Sequence, residues 1–190
     1  HFYTTIKNQK MKLKLILISI AFTILSISSA VAQDATVNFQ VFYNELSPYG
    51  QWVDYPDYGY VWIPSVDSEF SPYSTSGYWV FTNYGWTWVS DYSWGWAPFH
   101  YGRWNYDNSY GWFWIPQNEW GPAWVTWRHS NDYYGWAPMG YGVSINASFG
   151  SGYNIPHEHW RFVRGRDMNR KNINNYYAPR TNNATNIKNS

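Results

Sequence analysis

Exposed tryptophan and tyrosine rings can stack on sugars or enclose a quaternary ammonium, and arginine beside them can clamp an anionic or hydroxylated group. The non-repeating segment Tyr92-Ser93-Trp94-Gly95-Trp96 gathers such rings, and His100, Trp120 and Trp124 extend the group. Arg103 and Arg128 are the only cations between Asp34 and Pro156, and both sit beside tryptophans. Tyr92, Trp94, Trp96, His100, Arg103, Trp120, Trp124 and Arg128 are therefore the candidate ligand-binding set, because binding concentrates in irregular segments. A structural account competes with it. Most rings then form the core, while the arginines stack on indole and pair with Asp91, Asp107 or Glu119.

Catalytic chemistry finds little support. Glycoside hydrolysis needs two carboxylates facing across a cleft, roughly 5–9 Å apart. Asp54, Asp57, Asp107 and Asp132 instead fall in expected turns, where aspartate caps its own backbone. His157-Glu158-His159 would place both imidazoles on one face of a strand with no third ligand, and the spacing is not that of a zinc-protease helix. No Ser-His-Asp motif, thiol nucleophile or phosphate loop is present. The expectation is no enzyme, no catalytic residue, no metal and no cofactor.

The elements that must carry these side chains are written in a repeat. Fourteen of fifteen tryptophans lie between Trp52 and Trp136, and Trp62, Trp88 and Trp114 recur at a constant step of 26. One supersecondary unit has been copied. Each copy has two aromatic runs separated by a polar turn. The runs are Gln51–Val53 with Gly59–Ile63, Gly77–Phe81 with Gly85–Val89, and Arg103–Tyr106 with Gly111–Ile115. A fourth, altered unit joins Ala123–Arg128 to Gly135–Pro138. Such runs, bounded by Asn, Asp, Gly and Pro, are hairpin signals. Helix is the poorer alternative, because glycine and proline interrupt every window.

Alternation puts Trp112 and Trp114 on one face and Phe113 and Ile115 on the other, and does the same for Trp86 and Trp88 against Thr87 and Val89. Glycine ahead of each ring leaves bare backbone for a neighbouring aromatic to cover. The fold class is all-β. About eight strands form repeated antiparallel hairpins in a compact meander, barrel-like or sandwich, closed or nearly so, with a short irregular C-terminal tail. Val37–Val41 reads as an edge strand and 42–46 as one helical turn.

Residues 1–32 read as a signal peptide with an upstream extension. Lys12 and Lys14 precede the apolar run Leu15–Ile27, and Ala30-Val31-Ala32 offers a cleavage site. The run is shorter than the about 20 residues of a membrane span. Without cysteine, neither lipid attachment at the cleavage site nor a disulfide is expected. Residues 33–156 are then the aromatic-repeat β-domain, in which ten acids face two cations from Asp34 onward, a net charge of −8. Residues 157–190 are an Asn-rich basic tail of net charge +5, docked through Trp160, Phe162 and Val163 and disordered from Thr181. An acidic body argues against nucleic acid as a partner.

The run Phe42-Tyr43-Asn44-Glu45-Leu46-Ser47-Pro48-Tyr49-Gly50-Gln51-Trp52 resembles the opening motif of an exported bacterial family, domain of unknown function 6600. Tyr84–Ser90, His100–Trp104 and Pro122–Arg128 are similar to its later motifs. The resemblance covers roughly residues 37–180 and departs from longer members, which carry proline-rich or low-complexity tails, in its short tail. It implies export to the periplasm or cell surface and an envelope context, and carries no activity with it. A looser similarity, of style alone, links the chain to the aromatic hairpin repeats of choline- and glucan-binding surface proteins. The expected function is a non-catalytic exported structural or interaction module of the bacterial envelope, its partner a glycan or another envelope protein. A glycan- or cell-wall-binding module using exposed rings is the alternative, and a glycosidase-like hydrolase a weaker one.

Overall fold

In the computed structural model of this chain, residues 38–143 and 154–190 are described. The expected leader and its cleavage site lie outside them. All four expected hairpins form. They pair β1 (Gly50–Tyr55) with β2 (Gly59–Pro64), β3 (Gly77–Thr82) with β4 (Gly85–Ser90), β5 (Tyr101–Asp107) with β6 (Gly111–Trp120), and β7 (Val125–His129) with β8 (Tyr133–Pro138). A ninth strand, β9 (Arg161–Arg164), runs antiparallel to β8.

The hairpins do not close into one barrel. Among the described residues they make a four-stranded sheet in the order β1-β2-β6-β5, a two-stranded sheet β3-β4, and a three-stranded sheet β7-β8-β9. The outer edge of β4 is capped by a loop instead of a strand: the Trp88 N–H donates to the Pro122 carbonyl at 3.1 Å. That contact uses a donor that sheet closure would require.

The repeat places tryptophan opposite tryptophan in every hairpin. Trp52 faces Trp62, Trp79 faces Trp88, Trp104 faces Trp114 and Trp127 faces Trp136. Where β2 meets β6, Trp62 faces Trp114 again. Trp62, Trp79, Trp88, Trp104, Trp114 and Trp136 are all sealed from solvent. Trp79 joins two sheets, with its ring 5.2 Å from Trp88 and 5.5 Å from Trp136, edge-on to each. Such pairs contribute about 0.5–1.5 kcal/mol beyond their area burial. The opposite face of the large sheet is buried too, with Val61, Phe113 and Ile115 forming a second, smaller core.

Val37 lies outside the described residues, and the rest of the expected edge strand, to Val41, is not formed. Phe39–Leu46 is a helix, α1, whose N-cap Asn38 accepts from the Val41 N–H at 3.1 Å. The alternation read there is outweighed by two pairs four residues apart. Phe42 and Leu46 are fully buried, and Phe42 meets Trp114 edge-on at 5.1 Å. Phe39 and Tyr43 cover Trp52.

The tail is more ordered than its composition suggests. Trp160, Phe162 and Val163 are buried as expected. Beyond Thr181, however, a second helix, α2 (Asn183–Lys188), follows a 3-10 turn. Asn183 is 1% exposed, and its Nδ2 donates to the carbonyls of His157 at 2.7 Å and Trp160 at 3.1 Å. A single buried amide ties this segment down, an anchor that no apolar pattern reveals. Among the described residues no helix is long and apolar enough to cross a membrane.

The buried indoles fall into two chemical groups. The Nε1 of Trp136 donates to the Tyr73 carbonyl at 2.7 Å and that of Trp62 to the Leu46 carbonyl at 3.1 Å. The Nε1 atoms of Trp79, Trp88 and Trp104 are buried without an acceptor. Trp136→Phe leaves the Tyr73 carbonyl without its donor, whereas Trp104→Phe removes a group that is already unsatisfied. Urea unfolding should show the Trp136 change as more costly by about 1–3 kcal/mol. Equal losses would mean that ring volume alone sets the effect.

Candidate binding cleft

The predicted aromatic set divides on folding. Tyr92 stacks on Trp94 at 4.4 Å, and Trp94, buried, continues the stack to Phe99 at 5.8 Å. Trp96 is 39% exposed, on the α1 side against Phe42 and Tyr101. His100 stacks on the exposed Trp120 at 5.8 Å and holds its Nδ1 3.0 Å from the Gly121 carbonyl. Burial pulls its pKa below the usual histidine range. Arg103 is buried, with its guanidinium carbon 3.4 Å from the Trp124 ring centroid and Nη1 donating to the Gly102 carbonyl at 2.9 Å. The Trp124 Nε1 donates to the His100 carbonyl at 3.0 Å. His100, Arg103, Trp120 and Trp124 are thus brought together, while Tyr92 and Trp94 run into the core.

Arg128 lies apart, over Trp160 at 5.2 Å. Both arginines stack on indole as the structural account expects. The expected ion pairs with Asp91, Asp107 or Glu119 are not made, although Glu119, in β6, is near enough to Arg103 to favour its charge against the cost of burial. Among the described residues the ion pairs are Arg166–Asp167 and Arg170–Asp167.

None of these eight residues lines a well-formed cleft of about 530 Å³. Its walls come from three segments: the connector after β2, the tip of the β5–β6 hairpin, and the tail from Glu158 to Arg161 with Arg180. The tip is shaped by Asp107. Its Oδ1 accepts from the N–H groups of Ser109 at 2.8 Å and Tyr110 at 2.7 Å, and its Oδ2 from the Tyr55 hydroxyl at 2.9 Å. Partial desolvation opposes ionisation, yet these bonds win and hold Asp107 below the ordinary carboxylate range. Asp107 is a turn cap, as its position in sequence suggests. In the connector, the Asp67 carboxylate likewise accepts from the Glu69 N–H at 2.9 Å.

Rings line one side of the cleft. Trp112 and Tyr106, opposite each other in register, meet edge-on at 5.4 Å. His159 packs against both, 4.6 Å from Trp112 and 5.1 Å from Tyr106, and burial keeps its pKa low. His157–His159 is a 3-10 turn and not the expected strand, which turns His159 into the aromatic cluster while His157 stays exposed. Exposed carboxylates of Asp67, Glu69 and Glu158 also border the cleft, as does the exposed Arg180. Arg161 is different: only 5% exposed, with Nη1 donating to the carbonyls of Glu158 at 2.9 Å and Trp160 at 3.0 Å. Burial first, then repulsion from Arg180, lowers its pKa to about 10.

Sequence reading did not identify this cleft. The irregular connector after Pro64 was a signal of the kind that marks binding segments, but its meeting with residues 158–180 spans some ninety positions and leaves no local trace.

This chain belongs to a family of unknown function (DUF6600), whose model matches residues 43–143, more than half of its length. The matched stretch is shorter than the 37–180 suggested by motif resemblance, and the tail wall of the cleft lies outside it. No curated protein and no solved structure matches the chain.

Proposed function

We propose that the domain is a non-catalytic, exported interaction module of the bacterial cell envelope, with the tryptophan repeat as its scaffold and the cleft as its contact surface. One observation carries this reading: the six most deeply buried indoles of the repeat are committed to one another and to the core. The repeat therefore provides rigidity, and recognition is left to the irregular segments it holds in place. Asp107, at the hairpin tip beside the cleft, is committed as a turn cap by three donors that hold its pKa low. Export and envelope location rest on the leader-like composition of residues 1–32.

A second reading, glycan binding, is favoured by the rings and carboxylates that share the cleft. Trp112, Tyr106 and His159 offer apolar faces, and Asp67, Glu69 and Glu158 can accept from sugar hydroxyls. Incubation with peptidoglycan and common glucans tests both readings through tryptophan emission and released reducing ends. The expected result is saturable perturbation of emission, abolished in Trp112→Ala, with no ends released. A flat emission response removes the glycan reading and leaves a protein partner. Released ends that disappear when one of Asp67, Glu69 or Glu158 becomes amide would overturn the non-catalytic assignment.

A further inference from the structure

Arg161 is buried, yet among the described residues no carboxylate lies within 4 Å of its guanidinium. Only Nη1 is engaged, by two backbone carbonyls; no hydrogen bond reaches Nε or Nη2, and neither nitrogen is sealed from solvent. The residue borders the cleft, and Arg180 borders it as a second cation close enough to repel it. The other neighbours of Arg161 are the Tyr177 ring, 6.0 Å from Cζ, and the Glu69 carboxylate beyond ion-pair distance. Neither supplies an acceptor to the open donors, and a planar guanidinium presents donors in a fork that fits an oxyanion. From these features we infer that the cleft binds a carboxylate-bearing saccharide of the uronic-acid class, with the carboxylate on Arg161 and Arg180 and the sugar ring against Trp112. The inference rests on the glycan reading of the cleft and names its ligand.

Three features select this class. The open donors of Arg161 ask for an oxyanion. The Trp112, Tyr106 and His159 cluster asks for a ring with an apolar face. Asp67, Glu69 and Glu158 at the rim accept from hydroxyls and repel excess negative charge. A phosphate dianion places two charges at one point and meets that repulsion twice over, whereas a uronate carries one charge per sugar ring and is the better fit. Arg161 also keeps its position through the carbonyls it already holds, so the fork is organised before any ligand arrives.

Calorimetric titration of the full chain with trigalacturonate, its methyl ester, the neutral trisaccharide cellotriose and inorganic phosphate tests this. Trigalacturonate should bind, with the ester and cellotriose weaker by roughly tenfold or more, as loss of a charge-assisted contact implies. Arg161→Gln should abolish that preference and Arg161→Lys should recover part of it. Arg180 is exposed, so Arg180→Gln serves as the second variant if Arg161→Gln loses its cooperative melt. If cellotriose binds as well as trigalacturonate and neither arginine matters, the uronate inference fails while the glycan reading survives. Phosphate that displaces trigalacturonate at equal concentration overturns the choice of carboxylate. Binding by no saccharide overturns both.

Discussion

Tyr73→Ala is expected to abolish the cooperative unfolding transition of this domain, and Tyr73→Phe to lower its stability by about 1–3 kcal/mol. Tyr73 lies in the connector between β2 and β3, fully buried, with φ 55 in the left-handed region. Residues with a side chain rarely hold that conformation unless their surroundings determine it. Here they do. The ring stacks on Trp79 at 6.3 Å and meets Phe99 edge-on at 5.2 Å. Its hydroxyl donates to the Phe99 carbonyl at 3.1 Å and accepts from the Trp124 N–H at 3.2 Å, while its carbonyl accepts from the Trp136 indole. One residue thus bonds the turn before β5 and the loop before β7 through its hydroxyl, packs on β3, and meets β8 through its backbone carbonyl.

Removing a buried aromatic costs about 3–5 kcal/mol, and stranding the Trp124 N–H adds about 1–3 kcal/mol. That sum rivals the 5–15 kcal/mol (roughly) that holds a typical domain together. Burial also raises the phenol pKa of Tyr73, and that of Tyr177, above the ordinary 10.0. The stability this contributes is present below pH 10 and is lost as pH rises further, because the unfolded chain ionises first. Alkaline unfolding should therefore begin above that value and be shallower in Tyr73→Phe, with Tyr177 and Tyr55 adding to it and Arg161, lowered to about 10, opposing it. Circular dichroism against temperature and pH reads both effects. A Tyr73→Ala protein that melts within a few degrees of the parent would show that the connector is not the joint it looks to be.

What the sequence disclosed, and what it withheld, divides along the range of the forces involved. Hairpins are local: turn residues and alternation within a dozen positions specify them, and all four were legible, as was the shared face of Trp112 and Trp114. Association of hairpins is not local. Trp62, Trp88 and Trp114 occupy the same place in the repeat, so the pattern offers no reason for β2 to pair with β6 and to pass over β4. The choice depends on Pro122 capping the edge of β4 and on Tyr73 filling the centre, both far away in sequence. Helix α1 was masked for another reason: five residues of alternation also fit a helix whose i and i+4 positions are apolar.

The candidate site shows the same limit. Arg103 and Trp124 both belong to the candidate set read from sequence, though nothing there pairs them, and in the structure they stack. Their meeting, however, uses the guanidinium as packing material beneath the β5–β6 hairpin. Arg161 sits in a stretch read as a basic tail, where its charge looked solvated. Only the antiparallel addition of β9 to β8 and the burial of Phe162 carry it inside. A charge in a tail says nothing about its depth until the tail has found an edge to join.

Each of the first three hairpins carries two glycines with different physical purposes, which makes Gly102→Ala the second change of large expected effect. The turn glycines Gly59, Gly85 and Gly111 have φ of +69, +90 and +71, and a Cβ on any of them would meet nothing within 4 Å. Alanine at Gly111 should cost only the left-handed backbone penalty, about 1–2 kcal/mol. The strand-opening glycines Gly50 and Gly77 are instead covered by indoles; a Cβ on Gly77 would lie 2.6 Å from Trp88 and 2.5 Å from the Val89 carbonyl. Overpacking of that kind costs about 1–3 kcal/mol.

Gly102 has both constraints. Its φ is +65, a Cβ would press on the Trp114 indole and the Ile115 carbonyl, and the β5–β6 register shifts there between Tyr101 and Arg103. Alanine at Gly102 should therefore cost about 2–5 kcal/mol, more than either neighbouring class. It should also loosen Trp114, whose Nε1 donates to the Tyr101 carbonyl at 2.7 Å. Urea midpoints for the three alanine variants, read by tryptophan emission, should fall in the order Gly111, Gly77, Gly102. If Gly111→Ala proves as damaging as Gly102→Ala, the indole over bare backbone is not what the repeat protects, and turn conformation alone explains why its glycines recur.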